Sequence, residues 1–328
     1  MKITIPLRGS DFEEDYSSYE LFLKEIVQHS DNNSLIRLID DDTITEQNER
    51  PRIEKLTFEI HEGNEYEKSE PEFASELKEK HDFFNTEFTY EYLILNIEFK
   101  ERERNVDGST LWSINRFLTR LNFLINLTYS TNVDFIYGTA YSKDNEFIGK
   151  TDIILTTNMY CYEHSRKMGW PKIRNITLNE TIEWYEKHKI HSDHRSKNEL
   201  NRAINAFSRL FGNLKKESSA DLFWIMLGIE SLLVEGNQNI TSQFREKSIL
   251  ILGKPKDYKR KLNKLYEYRS KLIHGSFDIF PRQFTDYKSF EVEYGDYVSF
   301  ALSILIALIR ELIYKQKSKF EFELKVIE

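Results

Sequence analysis

A single cysteine, Cys161, stands among 328 residues, which excludes a disulfide framework and a cysteine-based zinc site within one chain. The opening stretch MKITIPLRGSDF has no long apolar run and does not read as a secretory signal. The longest apolar run, residues 297–309, falls short of the roughly 20 residues that cross a bilayer, and it ends in Arg310 and Glu311. No internal repeat or low-complexity segment is present. These absences predict a cytoplasmic protein of a reducing compartment with no membrane partner.

What is present supports packed cores. The apolar share is 40%, with 14% aromatic and 30% charged residues, and the length accommodates two domains. The net charge of −8 is unevenly placed. Residues 1–176 carry 21 Lys and Arg against 33 Asp and Glu, whereas residues 177–328 carry 25 against 21. An acidic first half excludes a general nucleic-acid binder there. The mildly basic second half admits one if its cations cluster.

The pattern predicts an α+β protein: a mixed α/β domain over 1–175, then an all-α bundle over 176–328. Strands are expected at 2–7, 35–40, 55–61, 89–99, 133–140 and 152–156, which are rich in β-branched and aromatic residues. Alternation in LTFEIH and YLILNIEF predicts sheets with one wet face. Helices are expected near 72–83 and over 110–129, the second amphipathic through Leu111, Ile114, Leu118, Leu121 and Ile125. This half holds no catalytic constellation. After Trp170 and Pro171 the texture turns helical, and Thr177 with Glu180 and Ser196 with Glu199 spell capping boxes. Helices are expected at about 178–190, 197–212, 219–234, 241–252, 257–274 and 290–316. The alternating tail KFEFELKVI is expected to return to the N-terminal sheet.

The stretch 258–276, YKRKLNKLYEYRSKLIHGS, carries the anomaly. Tyr258, Leu262, Leu265 and Leu272 form an apolar stripe at helical spacing, and Arg269 sits in it. A guanidinium cannot shed its charge, so it must reach a carboxylate, a phosphate or the edge of a cleft. His274 follows just before Gly275, which reads as the residue ending the helix in a left-handed turn. In an ideal helix residues five apart diverge by about 140°, so the pair converges only if the helix frays at His274. The segment LFWIMLGIESLLV reads as a central helix whose one charge, Glu230, needs a cation such as Arg269 or Arg245, or else reaches solvent. Lys259, Arg260, Lys261, Lys264 and Lys271 surround the pair in sequence and are expected to contact RNA backbone, or else to form a solvated face. Tyr266 and Tyr268 either stack on bases or are packed. His188, His191 and His194, with Asp193, lack a strong fourth ligand and read as an exposed linker, so no metal is expected.

Three segments, FWIMLGIESLL, FREKSILILG and KRKLNKLYEYRSKLIHG, resemble in order and spacing the HEPN domain, specifically its Apea-like branch. That branch looks like a helix with an apolar-Glu-apolar core, an Arg-bearing helix ending in Leu-Gly, and an Arg-Ser-x3-His-Gly helix end. The resemblance covers about residues 200–315. It implies a helical bundle that homodimerises so that two Arg-x4-6-His motifs line one cleft, and in many members a metal-independent endoribonuclease without a cofactor. By position, Arg269 and His274 are the motif pair, Ser270 takes the polar place after the arginine, and Glu230 and Arg245 support the site. Ser270 stands where many active members carry Asn, Asp or His, although serine is usual in the Apea-like branch. The resemblance further implies a regulated effector or toxin of anti-phage defence, with tRNA as a candidate substrate and the N-terminal domain sensing a phage-derived trigger or restraining the nuclease. Ser276 stands where toxins silenced by a nucleotidyltransferase carry a tyrosine, so that route is not expected. The alternative is a non-catalytic dimerisation or RNA-binding scaffold.

The chemistry fits these residues. RNA carries its own nucleophile, the 2′-hydroxyl beside the scissile phosphate. Cleavage needs a group that moves protons near neutral pH, as an imidazole does, and a fixed cation for the charge on phosphate oxygens, as a guanidinium is.

Overall fold

The computed structural model describes residues 1–8, 13–28, 35, 53–62, 91–99, 108–131, 133–135, 138–144, 146–151, 154–156, 161–190, 195–212, 218–236, 238–255, 258–276 and 288–322. They divide into two compact units, Met1–Thr156 and Thr157–Glu328. Among the described residues there are nine helices and one antiparallel sheet of six strands, a mixed α+β architecture. The expected helix at 72–83, most of the expected strand at 35–40 and the end of the tail lie outside the described residues.

In the first unit, β1 (Lys2–Arg8) is central: β3 (Glu91–Phe99) pairs on one side and β5 (Thr139–Tyr141) on the other, with β4 (Asp134–Phe135) at its end. β2 (Ile53–Glu62) and β6 (Phe147–Lys150) complete the order β2-β3-β1-β5-β6. On β2 the expected alternation holds: Leu56 and Phe58 are buried while Glu59 is exposed. On β3 it does not, since Tyr92, Leu93, Ile94 and Leu95 are all buried. A strand flanked on both edges and covered on both faces has no wet side, and its sequence is then a near-continuous apolar run.

Two helices belong to this unit. α1 (Glu13–Gln28) packs against β2 through Tyr19, Phe22 and Ile26. Exposed Leu21 and Val27 blur its periodicity, which is why the sequence pattern missed it. α2 (Gly108–Thr128) buries Ile114, Leu118, Leu121 and Ile125 as expected. It crosses β6 at Gly149, where an added Cβ would lie 2.6 Å from Leu111 Cδ2. At its end, Asn126 clamps Val133 like a strand partner: Nδ2 donates to Val133 O at 2.8 Å and Oδ1 accepts from Val133 N at 3.0 Å.

The second unit is built on α9 (Lys288–Tyr314), in which every residue from 300 to 313 is buried. Its stretch Gly295–Tyr314 is apolar and long enough to cross a membrane, but 78% of that window is buried inside the protein. α9 therefore takes the central place that the sequence pattern gave to α6 (Ser218–Leu233), which leaves Phe223 and Leu227 exposed. α6 reaches α9 at Gly228, where a Cβ would sit 3.0 Å from Leu305 Cδ2. Around α9 stand α3 (Cys161–Met168), α4 (Leu178–Lys187), α6 and α7 (Ile240–Leu252); α5 (Glu199–Ser208) packs on α6, and α8 (Tyr258–Ile273) packs on α6 and α7.

α3 was not expected from the sequence, and it explains why the unit boundary precedes 175/176. Fully buried Arg310 of α9 donates to Tyr162 Oη at 2.9 Å and to Arg174 O at 3.1 Å, tying 162–174 into this unit. The capping box of Thr177 and Glu180 is present. The second expected box is not: α5 starts two residues later, with Asn198 as the N-cap accepting from Asn201 N at 2.8 Å. Ser196 instead accepts from Asn205 Nδ2 at 2.8 Å. The described part of the tail, 318–322, has no strand, and Lys247 of α7 lies 4.6 Å from the Phe322 ring.

Replacing Asn126 with Leu removes both bonds to Val133 and is expected to lower stability by about 2–4 kcal/mol in urea denaturation; a loss under about 0.5 kcal/mol would show that the clamp is dispensable.

Two histidines of the second unit are partly buried. His164 lies 5.7 Å from Phe300, and His188 lies 5.9 Å from Trp184 with Nε2 3.4 Å from Gln316 O. Burial is the main cause holding both below the usual value of 6.5. The unfolded chain then takes up these protons first, so their contribution is complete above that value and is lost as pH falls through the folded-state value. Denaturation midpoints of the second unit are expected to fall from about pH 7.5 to about pH 5.5, with a shallower slope in a His164→Phe, His188→Phe variant. An unchanged slope would count against this coupling.

Candidate functional site

α6 and α8 meet along a seam holding Glu230, the one charge of the apolar segment 222–234. Glu230 Oε2 accepts from Arg269 Nη2 at 2.8 Å, with side chains only 14% and 19% exposed. Glu230 is therefore bridged between helices rather than directed to solvent, and its partner is Arg269, not Arg245. Arg245 on α7 is 3.8 Å from Glu246. The pairing is incomplete: Glu230 Oε1 and Arg269 Nε are buried without a hydrogen-bond partner. A charge pair with open valences in a dry seam is costly unless something else satisfies it. The Tyr266 ring lies under the guanidinium at 5.6 Å and packs 6.4 Å from Phe244.

The end of α8 is regular. His274 N donates to Ser270 O at 3.0 Å, an ordinary helical bond, and Ser276 N donates to Lys271 O at 3.0 Å across Gly275 at φ +67°. This is a Schellman-type stop, and the left-handed turn favours glycine. Because the helix does not fray, His274 and Arg269 stay about 140° apart around it. His274 is exposed, and Ser270 is half-buried one residue after Arg269.

Azimuth sorts the remaining candidates. Arg260, Lys264, Glu267, Lys271 and His274 follow one another at helical spacing and are all exposed, forming a single outer stripe. Arg269 is on the other side, with Leu262 and Leu265, which are 1% and 0% exposed. The structure thus joins His274 to the basic stripe and Arg269 to the buried seam. In the stripe, Lys271 bonds Glu267 at 2.8 Å, which, by that bond first and by the lysine charge second, holds the Glu267 carboxyl below its usual range. Lys261 lies at the inner edge, its Nζ 2.9 Å from Met168 Sδ. The Lys259 side chain lies outside the described residues. Tyr268 is packed, not free: it stacks on Tyr297 of α9 with centroids 4.1 Å apart. Tyr297 was invisible to sequence reasoning because no spacing rule links two tyrosines on different helices.

His188 packs on Trp184 of the helix it caps and faces Gln316 O just past the end of α9, whereas His191, Asp193 and His194 lie outside the described residues. Among the described residues no group of three or more His, Cys, Asp or Glu is placed to hold a metal ion.

No protein-family model, curated protein or solved structure matches the chain.

Replacing Arg269 alone with Met strands the Glu230 carboxylate and is expected to cost about 2–3 kcal/mol of stability, less than a fully buried pair because both side chains keep some exposure. The double replacement of Glu230 and Arg269 by Met is expected to return to within about 1 kcal/mol of the parent. Additive losses in this double-mutant cycle would show that the two side chains do not act as a pair.

Proposed function

We propose that the second unit is a HEPN-like, metal-independent endoribonuclease in which His274 moves protons and Arg269 binds the scissile phosphate. One observation carries this reading: α8 presents an exposed imidazole at a glycine-stopped tip and a guanidinium, bonded to Glu230 at 2.8 Å, in its inner seam. In the reaction, the 2′-hydroxyl loses its proton to a base and attacks phosphorus, and the 5′-oxygen leaves with a proton. The products are a 2′,3′-cyclic phosphate and a 5′-hydroxyl. His274 serves proton transfer, and Arg269 offsets the charge on the non-bridging oxygens.

Within one chain these two groups diverge, so the working cleft takes them from two copies, as the resemblance implies. Exposed Phe223 and Leu227 on α6 and Ile273 beside His274 supply apolar surface for a second copy. Glu230 then has two roles. It orients Arg269, and it occupies the guanidinium that phosphate needs, which fits an enzyme kept latent. An unrestrained ribonuclease would poison its host, so the first unit is assigned sensing or restraint, within an anti-phage effector for which tRNA is the first substrate to test.

The same ion pair also favours a second reading, a non-catalytic dimerisation or RNA-binding scaffold. There Arg269 is committed to Glu230 for helix packing, as its low exposure suits.

Cleavage of total tRNA in EDTA separates the two. The parent protein is expected to yield fragments ending in cyclic phosphate, with His274→Ala slower by about 10²–10⁴-fold and Arg269→Ala by about 10²–10³-fold. Equal cleavage by all three proteins would place the activity elsewhere. No cleavage by the parent, with or without phage challenge in cells, would leave the scaffold.

A further inference from the structure

We propose that the outer face of α8 is a track for unpaired RNA, with the Tyr268–Tyr297 pair as its base-stacking platform. The inference rests on the ribonuclease reading only for the fate of the bound strand. Its chemistry is independent of cleavage.

The stripe Arg260, Lys264, Lys271, His274 runs along the helix for about 21 Å at 1.5 Å per residue. Three cations on exposed positions lead to the imidazole, and none of them shares the buried face with Arg269. Beside the stripe, about 40° from Lys264 around the helix, Tyr268 stacks on Tyr297 at 4.1 Å and 29°. Both rings remain half-exposed. Lys261, nearly in line with Tyr268, closes the inner edge through its contact with Met168. Among the described residues, two carboxylates stand beside these cations: Glu267, already bonded to Lys271, and exposed Asp296 next to Tyr297.

Cations along one line with an aromatic pair at the edge are what a single strand requires. Phosphates are met by lysine and arginine, and bases stack on a π-face. A duplex keeps its bases paired and stacked on one another, so the tyrosine platform gains nothing from it. The track therefore selects loops, ends or other unpaired segments, without reading base edges, and delivers the backbone to His274.

The test is fluorescence anisotropy in EDTA with a labelled mixed-sequence RNA 12-mer, as a single strand and annealed to its complement. The protein is the full chain with His274→Ala, so that the RNA stays intact. Single strands are expected to bind more tightly than the duplex. Tyr297→Leu, which keeps an apolar side chain in the helix contact, is expected to weaken single-strand binding by about 5- to 100-fold, the worth of one stacked base. Lys264→Ala is expected to reduce the slope of log affinity against log salt by about 0.7. Unchanged binding in Tyr297→Leu, preference for the duplex, or no binding at all would overturn the track. Binding as expected with no cleavage by the parent protein, either purified or in phage-challenged cells, would overturn the ribonuclease reading and leave the track standing.

Discussion

The second unit depends on the burial of one helix. Residues 300–313 of α9 are apolar on nearly every side, so water has to be excluded from the whole circumference rather than from one stripe. That constraint draws α3, α4, α6 and α7 around it. The two charged residues within 300–313 show how strict the exclusion is. Arg310 is fully buried and spends its donors on Tyr162 and Arg174 O, while Glu311 is 11% exposed and bonded to Arg174 at 2.7 Å. Gly228 lets α6 lie against Leu305, and α8 then packs on the outer side of α6. The candidate site is a consequence of this layering. The seam that holds Glu230 and Arg269 lies one layer out from the core, dry enough to strengthen the pair and open enough to be reached.

The two faces of α8 divide the labour. The inner face has the chemistry of commitment: a guanidinium tied to a carboxylate, each with a buried polar atom still unpaired. The outer face has the chemistry of exchange, with exposed cations and an exposed imidazole. One helix serving both needs a sharp end, and Gly275 provides it. In the proposed enzyme, the division separates the residue that must be restrained from the residues that meet RNA first.

Much of this was legible in the chain. The β1, β2 and β3 strands, α2 and six of the seven helices in the second unit lie near their expected positions, because alternation and the 3.6-residue period record which face is buried. The elements that were missed share a cause. α1 and α3 carry too many charges or exposed apolar residues for a clean stripe, and β6 is a four-residue edge strand with exposed Phe147. At α5, Asn198 outcompeted Ser196 as the cap, a choice that turns on backbone geometry and not on residue type.

Residue spacing already placed Arg269 on an apolar stripe, Gly275 at the helix end and Glu230 as the lone charge of an apolar segment. These are local facts, set by spacing along one chain. Tertiary structure alone decided which arginine Glu230 would hold, that Tyr268 would find Tyr297, and that α9 rather than α6 would be the enclosed helix. Each of those outcomes is a contact between segments far apart in the chain. Periodicity states which face of a helix is buried; the packing of the neighbours states against what.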